Sequence, residues 1–199
     1  SFTPKADESL FEYLKHRDVL LHHPYNSVEP FMDLLDKAAD DPFVLSIKIT
    51  IYRLAKQSRI ADALQRAAEN GKHVSVLFEV KARFDEENNI NQAQRLQKAG
   101  CFVIYGISNF KTHTKLCLIV RKEEDDKVTR YVHLSSGNYN EITSKLYTDM
   151  SLLTTKDSYA NDVSEFFNAI TGHSKPVKYN NLLTAPGDMR SGLIDLINK

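Results

Sequence analysis

Apolar residues along the chain follow two alternating patterns. Short runs rich in β-branched residues are typical of strands, and between them apolar residues recur at three- and four-residue steps, which is typical of helices that bury one face. This alternation predicts an α/β fold, a mixed β-sheet flanked by helices. The predicted strands are 18–24, 43–52, 73–80, 101–105, 114–121, 128–134 and 149–154, and the predicted helices are 28–39, 60–68, 89–98, 159–170 and one at the end of the chain.

The strands 114–121 and 128–134 are joined only by KEEDDK, which is too short for a crossover helix. These two strands are therefore predicted to form an antiparallel hairpin. The charge run KEEDDK is interpreted as a solvated hairpin tip, because charged side chains are seldom fully buried.

Polar clusters interrupt the predicted sheet where its strands end. Arg53 follows the strand 43–52, Arg83 follows the strand 73–80, and KTHTK, which contains His113, begins the hairpin. If the first two strands are parallel and the hairpin strand is antiparallel to them, all three clusters lie at one edge, where open α/β sheets place ligands. The second hairpin strand then delivers the turn 135–138, Ser-Ser-Gly-Asn, to the same edge.

This set of residue types suits a phosphate group. Arginine matches phosphate oxygens with two parallel hydrogen bonds, lysine adds a point charge, and glycine lets the backbone approach an anion closely. A neutral imidazole can attack phosphorus, so His113 is a candidate nucleophile, and either Asp149 or Glu79 could orient its ring. The alternatives remain open: the arginines could be ordinary surface residues, and Tyr139 and Tyr147 could stack on a base or pack against the sheet, with packing favoured.

Composition narrows the class of protein. Among 199 residues, 26 Lys and Arg balance 26 Asp and Glu, and 42% are apolar, which argues against a protein that grips duplex DNA through phosphates and against a disordered tail. The chain has neither a membrane span nor a signal-peptide pattern, so a cytoplasmic protein is expected. Cys101 and Cys117 are predicted to be buried, reduced thiols, and His22-His23 a strand-end pair and not a metal site.

Five strings then point to a known family. IKITIYRLAKQS, FEVKARFDEENNI, KTHTKLCLIVR, YVHLSSGNYNE and LYTDMSLLT, in this order, closely resemble the catalytic region of bacterial polyphosphate kinases over residues 18–155. The resemblance implies a phospholipase D-like domain at 1–155, followed at 156–199 by a linker and the start of a second, truncated catalytic domain. The chain lacks an initiating Met and ends in a helical pattern, so we expect a fragment of a longer protein.

The resemblance also assigns roles to particular residues. His113 corresponds to the histidine that becomes phosphorylated, with Lys115 as its catalytic neighbour, and Arg53 and Arg83 correspond to arginines of the magnesium and phosphate site. Tyr147 corresponds to a tyrosine that contacts the nucleotide. Asn138, in the Gly-Asn turn, is expected to bind phosphate, and Mg²⁺ is the implied cofactor.

The implied function is reversible transfer of the terminal phosphate of ATP, through phosphorylated His113, to inorganic polyphosphate. ATP, ADP and polyphosphate are then the partners, without nucleic acid; the full-length enzyme is expected to be a homo-oligomer and could associate peripherally with a membrane. The isolated fragment is expected to be inactive, because half of the family's shared site is missing. Two alternatives stay open: a phospholipase D-type phosphodiesterase, and a non-catalytic module for polyphosphate binding or oligomerisation.

Overall fold

The structure is a computed structural model that describes residues 9–79, 86–106, 111–172 and 178–199. The chain divides into two compact units, Ser1–Thr155 and Lys156–Lys199. The assignment of the second unit to the start of a further catalytic domain stays a prediction.

The first unit alternates helices and strands as the sequence pattern predicts. Its helices begin and end within one to three residues of the predicted positions, apart from α1, which the pattern did not indicate. The elements are α1 (Leu10–His16), β1 (Val19–His23), α2 (Glu29–Asp40), β2 (Val44–Ile51), α3 (Arg59–Glu69), β3 (His73–Phe78), α4 (Glu86–Lys98), β4 (Phe102–Tyr105), β5 (Lys115–Lys122), β6 (Val128–Ser135) and β7 (Asp149–Thr154).

The seven strands form one mixed sheet in the order β1-β7-β6-β5-β2-β3-β4. Strands β2, β3 and β4 are parallel, whereas β5 runs antiparallel to β2 and forms the predicted hairpin with β6. Ile49 of β2 lies opposite Val76 of β3 and Cys117 of β5, which fixes the register of the central strands. The predicted fold class, a mixed sheet flanked by helices, is confirmed.

The core lies between this sheet and the apolar faces of α2 and α3. Phe31, Leu34, Leu35 and Ala38 of α2 are at most 1% exposed, as their three- and four-residue spacing predicts. Alternate residues of β2 meet them from the sheet, and Ile47 and Ile49 are fully buried. Both cysteines are free and buried, which confirms the prediction of reduced, buried thiols.

The interpretation of KEEDDK as a solvated tip is wrong for Glu123. This carboxylate is buried, accepts hydrogen bonds from Arg121 (2.6 Å) and the Tyr131 hydroxyl (3.1 Å), and lies 2.6 Å from the Lys15 ammonium. Burial of Glu123 is offset by these partners, which together hold the pKa of its carboxyl below the ordinary value. Helix α1, which supplies Lys15, was missed because seven residues are too short for a clear period.

The second unit contains α5 (Asp157–Ile170) and α6 (Met189–Ile197). The Asp162 carboxylate accepts backbone N–H groups of Asn180, Asn181 and Leu182, which ties the segment before α6 to α5. In the described part of the chain, no helix is both long and apolar enough to cross a membrane.

Candidate active site

The polar clusters meet at one edge of the sheet because of the strand directions. Strands β2 and β6 end at this edge, and β5 and β7 begin there, with Lys115 opposite Ser135 and Ser135 opposite Ser151. A cavity of about 290 Å³ opens at the edge. Its lining includes five of the six predicted site residues, namely Arg53, His113, Lys115, Asn138 and Tyr147, and the sixth, Arg83, lies outside the described residues.

His113 is exposed at the cavity and has a lysine as its nearest polar neighbour. The Lys115 ammonium lies 3.1 Å from both ring nitrogens and donates a 2.6 Å hydrogen bond to the His113 carbonyl. Partial loss of water around the ring, followed by the charges of Lys115 and Lys111, lowers the pKa of His113. The lowered pKa favours the neutral ring, which is the form that can act as a nucleophile.

Lys115 is held in place by the start of β5. Its side chain is buried, with 3% of the residue exposed, and burial lowers its pKa from 10.5 to about 8 although Asp149 opposes the change. The buried hydroxyl of Thr50 donates to the Thr114 carbonyl (2.8 Å) and accepts from the Leu116 N–H (3.0 Å). These two hydrogen bonds clamp the backbone on both sides of Lys115.

The loop that carries Arg53 is fixed by amide side chains of α4. Asn88, Asn89 and Gln92 donate hydrogen bonds of 2.8 to 3.0 Å to the carbonyls of Leu54, Tyr52 and Lys56, respectively. A loop of this kind needs such partners because its carbonyls have no strand beside them. Sequence reasoning missed these three residues, although amides at positions i, i+1 and i+4 share one helix face.

The turn after β6 packs tightly against the start of β7. A Cβ added to Gly137 would lie 2.6 Å from Oδ2 of Asp149, so a larger residue there would displace the Asp149 side chain. Ser136 donates a 2.7 Å hydrogen bond to the other oxygen of Asp149. The buried Oδ1 of Asn138 has no hydrogen-bond partner among the described residues, which leaves one acceptor in the cavity wall.

The two carboxylates considered for orienting His113 take different places. Glu79 accepts the backbone N–H of Thr112 at 2.7 Å, so it fixes the chain just before the histidine. Asp149 lines the cavity on the side of Ser136 and Gly137. Their roles toward the imidazole stay a prediction.

A second histidine, His133, lines the cavity and is not among the predicted site residues. Its ring stacks on Phe31 at 4.0 Å between centroids, and its Nδ1 lies 3.0 Å from the Tyr139 hydroxyl. Burial, and secondarily the neighbouring His23, lower the pKa of His133 to about 3. Tyr139 is 4% exposed and packs in the core, as favoured from the sequence, whereas Tyr147 is 63% exposed.

Comparison with known proteins decides the family. The family described as Polyphosphate kinase C-terminal domain 1 matches residues 9–176, which extends beyond the stretch 18–155 on which the sequence resemblance rested. The chain belongs to the polyphosphate kinase family. The polyphosphate kinase of Halalkalibacterium halodurans is 50% identical over 194 residues, and that of Staphylococcus epidermidis is 48% identical over 203.

Solved structures agree with this family and with the predicted fold. The crystal structure of polyphosphate kinase from Porphyromonas gingivalis matches 97% of the chain with a TM-score of 0.84 and 36% identity, and the match covers 32% of that chain. Nuc from Salmonella typhimurium (TM-score 0.59, 16% identity) covers 81% of this chain and 98% of its own, and NucT from Helicobacter pylori (0.60, 18%) covers 79% and 96%. These two show the phospholipase D fold alone.

This polyphosphate kinase domain spans about a quarter of its relatives. The alignment covers 98% of the chain but 27% of the H. halodurans protein, and 100% of the chain but 28% of the S. epidermidis protein. The described residues contain no group of three or more His, Cys, Asp or Glu side chains that could hold a metal ion.

Proposed function

We propose that this domain carries the phosphohistidine of a polyphosphate kinase, with His113 as the residue that takes the terminal phosphate of ATP and passes it to inorganic polyphosphate. The observation that carries the proposal is the lowered pKa of an accessible His113 beside the buried Lys115 ammonium, in a cavity at the sheet edge. Membership of the polyphosphate kinase family supports the choice of substrates.

The transfer needs no redox partner. A lone pair on an imidazole nitrogen of His113 attacks the γ-phosphorus of ATP, the N–P bond forms, and the bond to the bridging oxygen breaks, so that its electron pair leaves with ADP. A terminal oxygen of polyphosphate then attacks the same phosphorus, and the N–P electron pair returns to the imidazole. Because a phosphate anhydride is broken and another is formed, the reaction is reversible.

Stabilisation of negative charge is the main task of the surrounding residues. Lys115 places a positive charge 3.1 Å from the imidazole, next to the transferring group. Arg53, in the loop after β2, and Arg83, which follows β3 in the sequence, are proposed to bind phosphate oxygens. Asn138 is proposed to contact phosphate from the Gly-Asn turn, and Tyr147, exposed at the cavity, to contact the nucleotide.

Magnesium fits this site as the counter-ion of the nucleotide. Mg²⁺ prefers oxygen ligands and is commonly held by substrate phosphates and one or two protein oxygens. The cavity wall offers the Asp149 carboxylate and the unsatisfied Oδ1 of Asn138, beside cations that would repel a bare metal ion. We infer that Mg²⁺ arrives bound to ATP, where it would neutralise phosphate charge.

The test is phosphoenzyme formation in a chimera in which this chain replaces the matching region of the H. halodurans polyphosphate kinase. Incubation with γ-labelled ATP is expected to give an acid-labile, base-stable label that mass spectrometry locates on His113. His113→Ala is expected to abolish the label, whereas His73→Ala, an exposed histidine at the opposite end of β3, is expected to retain it. Label retained by His113→Ala, or a diesterase activity without label, would overturn the proposal.

A further inference from the structure

The ring of Tyr52 lies among the cations of the site. Lys111 Nζ is 5.3 Å, Lys115 Nζ 5.7 Å and Arg53 Cζ 6.0 Å from the ring centroid. The imidazole of His113 meets the same ring edge to face, with centroids 5.3 Å apart and planes at 79°. One aromatic side chain therefore lies within about 6 Å of two lysines and an arginine and also contacts the proposed nucleophile.

Three positive charges at such short range repel one another. Each lysine would also be better hydrated if its ammonium group moved out of the site, so the cations need a group that holds them there. The face of a tyrosine ring carries partial negative charge and attracts cations within about 6 Å of its centroid. Tyr52 thus offsets part of the repulsion without adding a formal negative charge. A carboxylate in its place would attract the same cations but would also repel phosphate.

The backbone of Tyr52 is fixed independently of these cations. Its carbonyl accepts a 2.8 Å hydrogen bond from Nδ2 of Asn89, and Asn89 is only 1% exposed. The residue follows directly on β2, whose Ile51 is paired with Phe78 of β3. The point at which the ring is attached is consequently fixed by the sheet and by α4.

We propose that Tyr52 is a positioning residue that gathers Lys111, Lys115 and Arg53 around His113 through the face of its ring. The proposal rests on the proposed function in that His113 is the nucleophile whose surroundings are being set. Tyr52 is expected to act on the transferring phosphate only through these cations and the imidazole.

The test is a double-mutant cycle read out on His113 itself. The pKa of His113 is measured by NMR titration of its imidazole in the 199-residue chain, in the wild type, Tyr52→Leu, Lys111→Gln and the double variant, with Tyr52→Phe as the variant that keeps the ring. Loss of the ring should release Lys111 and raise the pKa of His113 by about 0.5, the effect of moving one charge from about 5 Å to beyond 10 Å in a largely aqueous setting. In the Lys111→Gln background the same change should fall to less than half of that size, and Tyr52→Phe should keep the pKa low.

Additive effects of the two substitutions would overturn the proposal, because they would mean that the ring acts only by excluding water. A Tyr52→Phe variant that behaves like Tyr52→Leu would also overturn it. If the leucine variant does not fold, phenylalanine and pentafluorophenylalanine at position 52 make the same comparison, since they have similar shape and opposite charge on the ring face. No ATP is involved, so a failure of the proposed function appears separately, as a chimera without phosphohistidine.

Discussion

Lys115 is expected to destabilise the fold at neutral pH. Burial lowers its pKa from 10.5 to about 8, so the folded state disfavours the charged lysine relative to the unfolded chain. Between these two values the unfolded state binds more protons, and the stability of the protein therefore rises with pH in that window. At neutral pH the difference in pKa corresponds to about 3 kcal/mol of unfavourable folding free energy.

The variant Lys115→Met removes this titration while keeping an extended apolar side chain. The free energy of unfolding of the wild type, relative to that of the variant, should rise by about 2 kcal/mol when the pH is raised from 7 to 9.5. Urea unfolding of both proteins at the two pH values measures this gain. Groups that titrate in both proteins cancel in the comparison.

Lys122→Met is the matched control, because Lys122 lies at the other end of β5, is half exposed and pairs with Asp126. It should show no comparable change relative to the wild type. An equal difference between wild type and Lys115→Met at pH 7 and pH 9.5 would refute the reasoning, because it would mean that the fold accommodates the charged lysine as well as water does.

Three further predictions concern stability and binding. Glu123→Gln should lower the free energy of unfolding by about 2 to 3 kcal/mol at pH 7, since it removes the buried charge that pairs with the partly buried Lys15 and Arg121. The loss should vanish as acid protonates the carboxyl, and exposed Glu124→Gln is the control in the same urea assay. Asn89→Ala should cost about 1 to 3 kcal/mol by leaving loop carbonyls unsatisfied, whereas exposed Asn91→Ala should not, as urea unfolding would measure. Binding of tripolyphosphate at pH 8 should take up more protons, or release fewer, in the wild type than in Lys115→Met, because the anion raises the pKa of Lys115; calorimetry in two buffers measures this difference, in which the titration of the ligand itself largely cancels.

The architecture and one edge of the site were predictable because they depend on local pattern and strand direction. Short β-branched runs and the three- and four-residue spacing of α2 located most elements, and the short KEEDDK connection required a hairpin. Once β2 and β3 were taken as parallel and β5 as antiparallel, Arg53, His113 and Asn138 had to meet at one edge. A phosphate site could then be predicted from the residue types alone.

What escaped prediction depends on contacts between residues far apart in the chain. Glu123 looks solvated inside its acidic run, and one of the partners that offset its burial is Lys15, more than one hundred residues earlier. The amide of Asn89 serves a carbonyl 37 residues away, and His133 is buried because Phe31 stacks on it. Neither composition nor periodicity contains such pairings. The residues that support the site were therefore missed, whereas its cationic residues were found.

The zero net charge of the chain conceals how its charges are distributed. Away from the cavity, arginines are matched with carboxylates: Arg59 contacts Glu29, Asp33 and Asp36, and Arg66 contacts Asp36 and Asp40.

At the cavity the balance is different. Lys111 and Lys115 lie close to His113, and Asp149 is the carboxylate that acts on Lys115. The ring of Tyr52 lies beside both lysines, in a position where an acidic side chain could otherwise pair with them. An acid there would stabilise the empty fold and repel phosphate. The edge of the sheet thus carries closely spaced positive charges, and the burial that lowers the pKa of Lys115 would be offset by a bound phosphate chain. The unfavourable burial of the Lys115 charge would then both lower the stability of the empty site and raise its affinity for a polyanion.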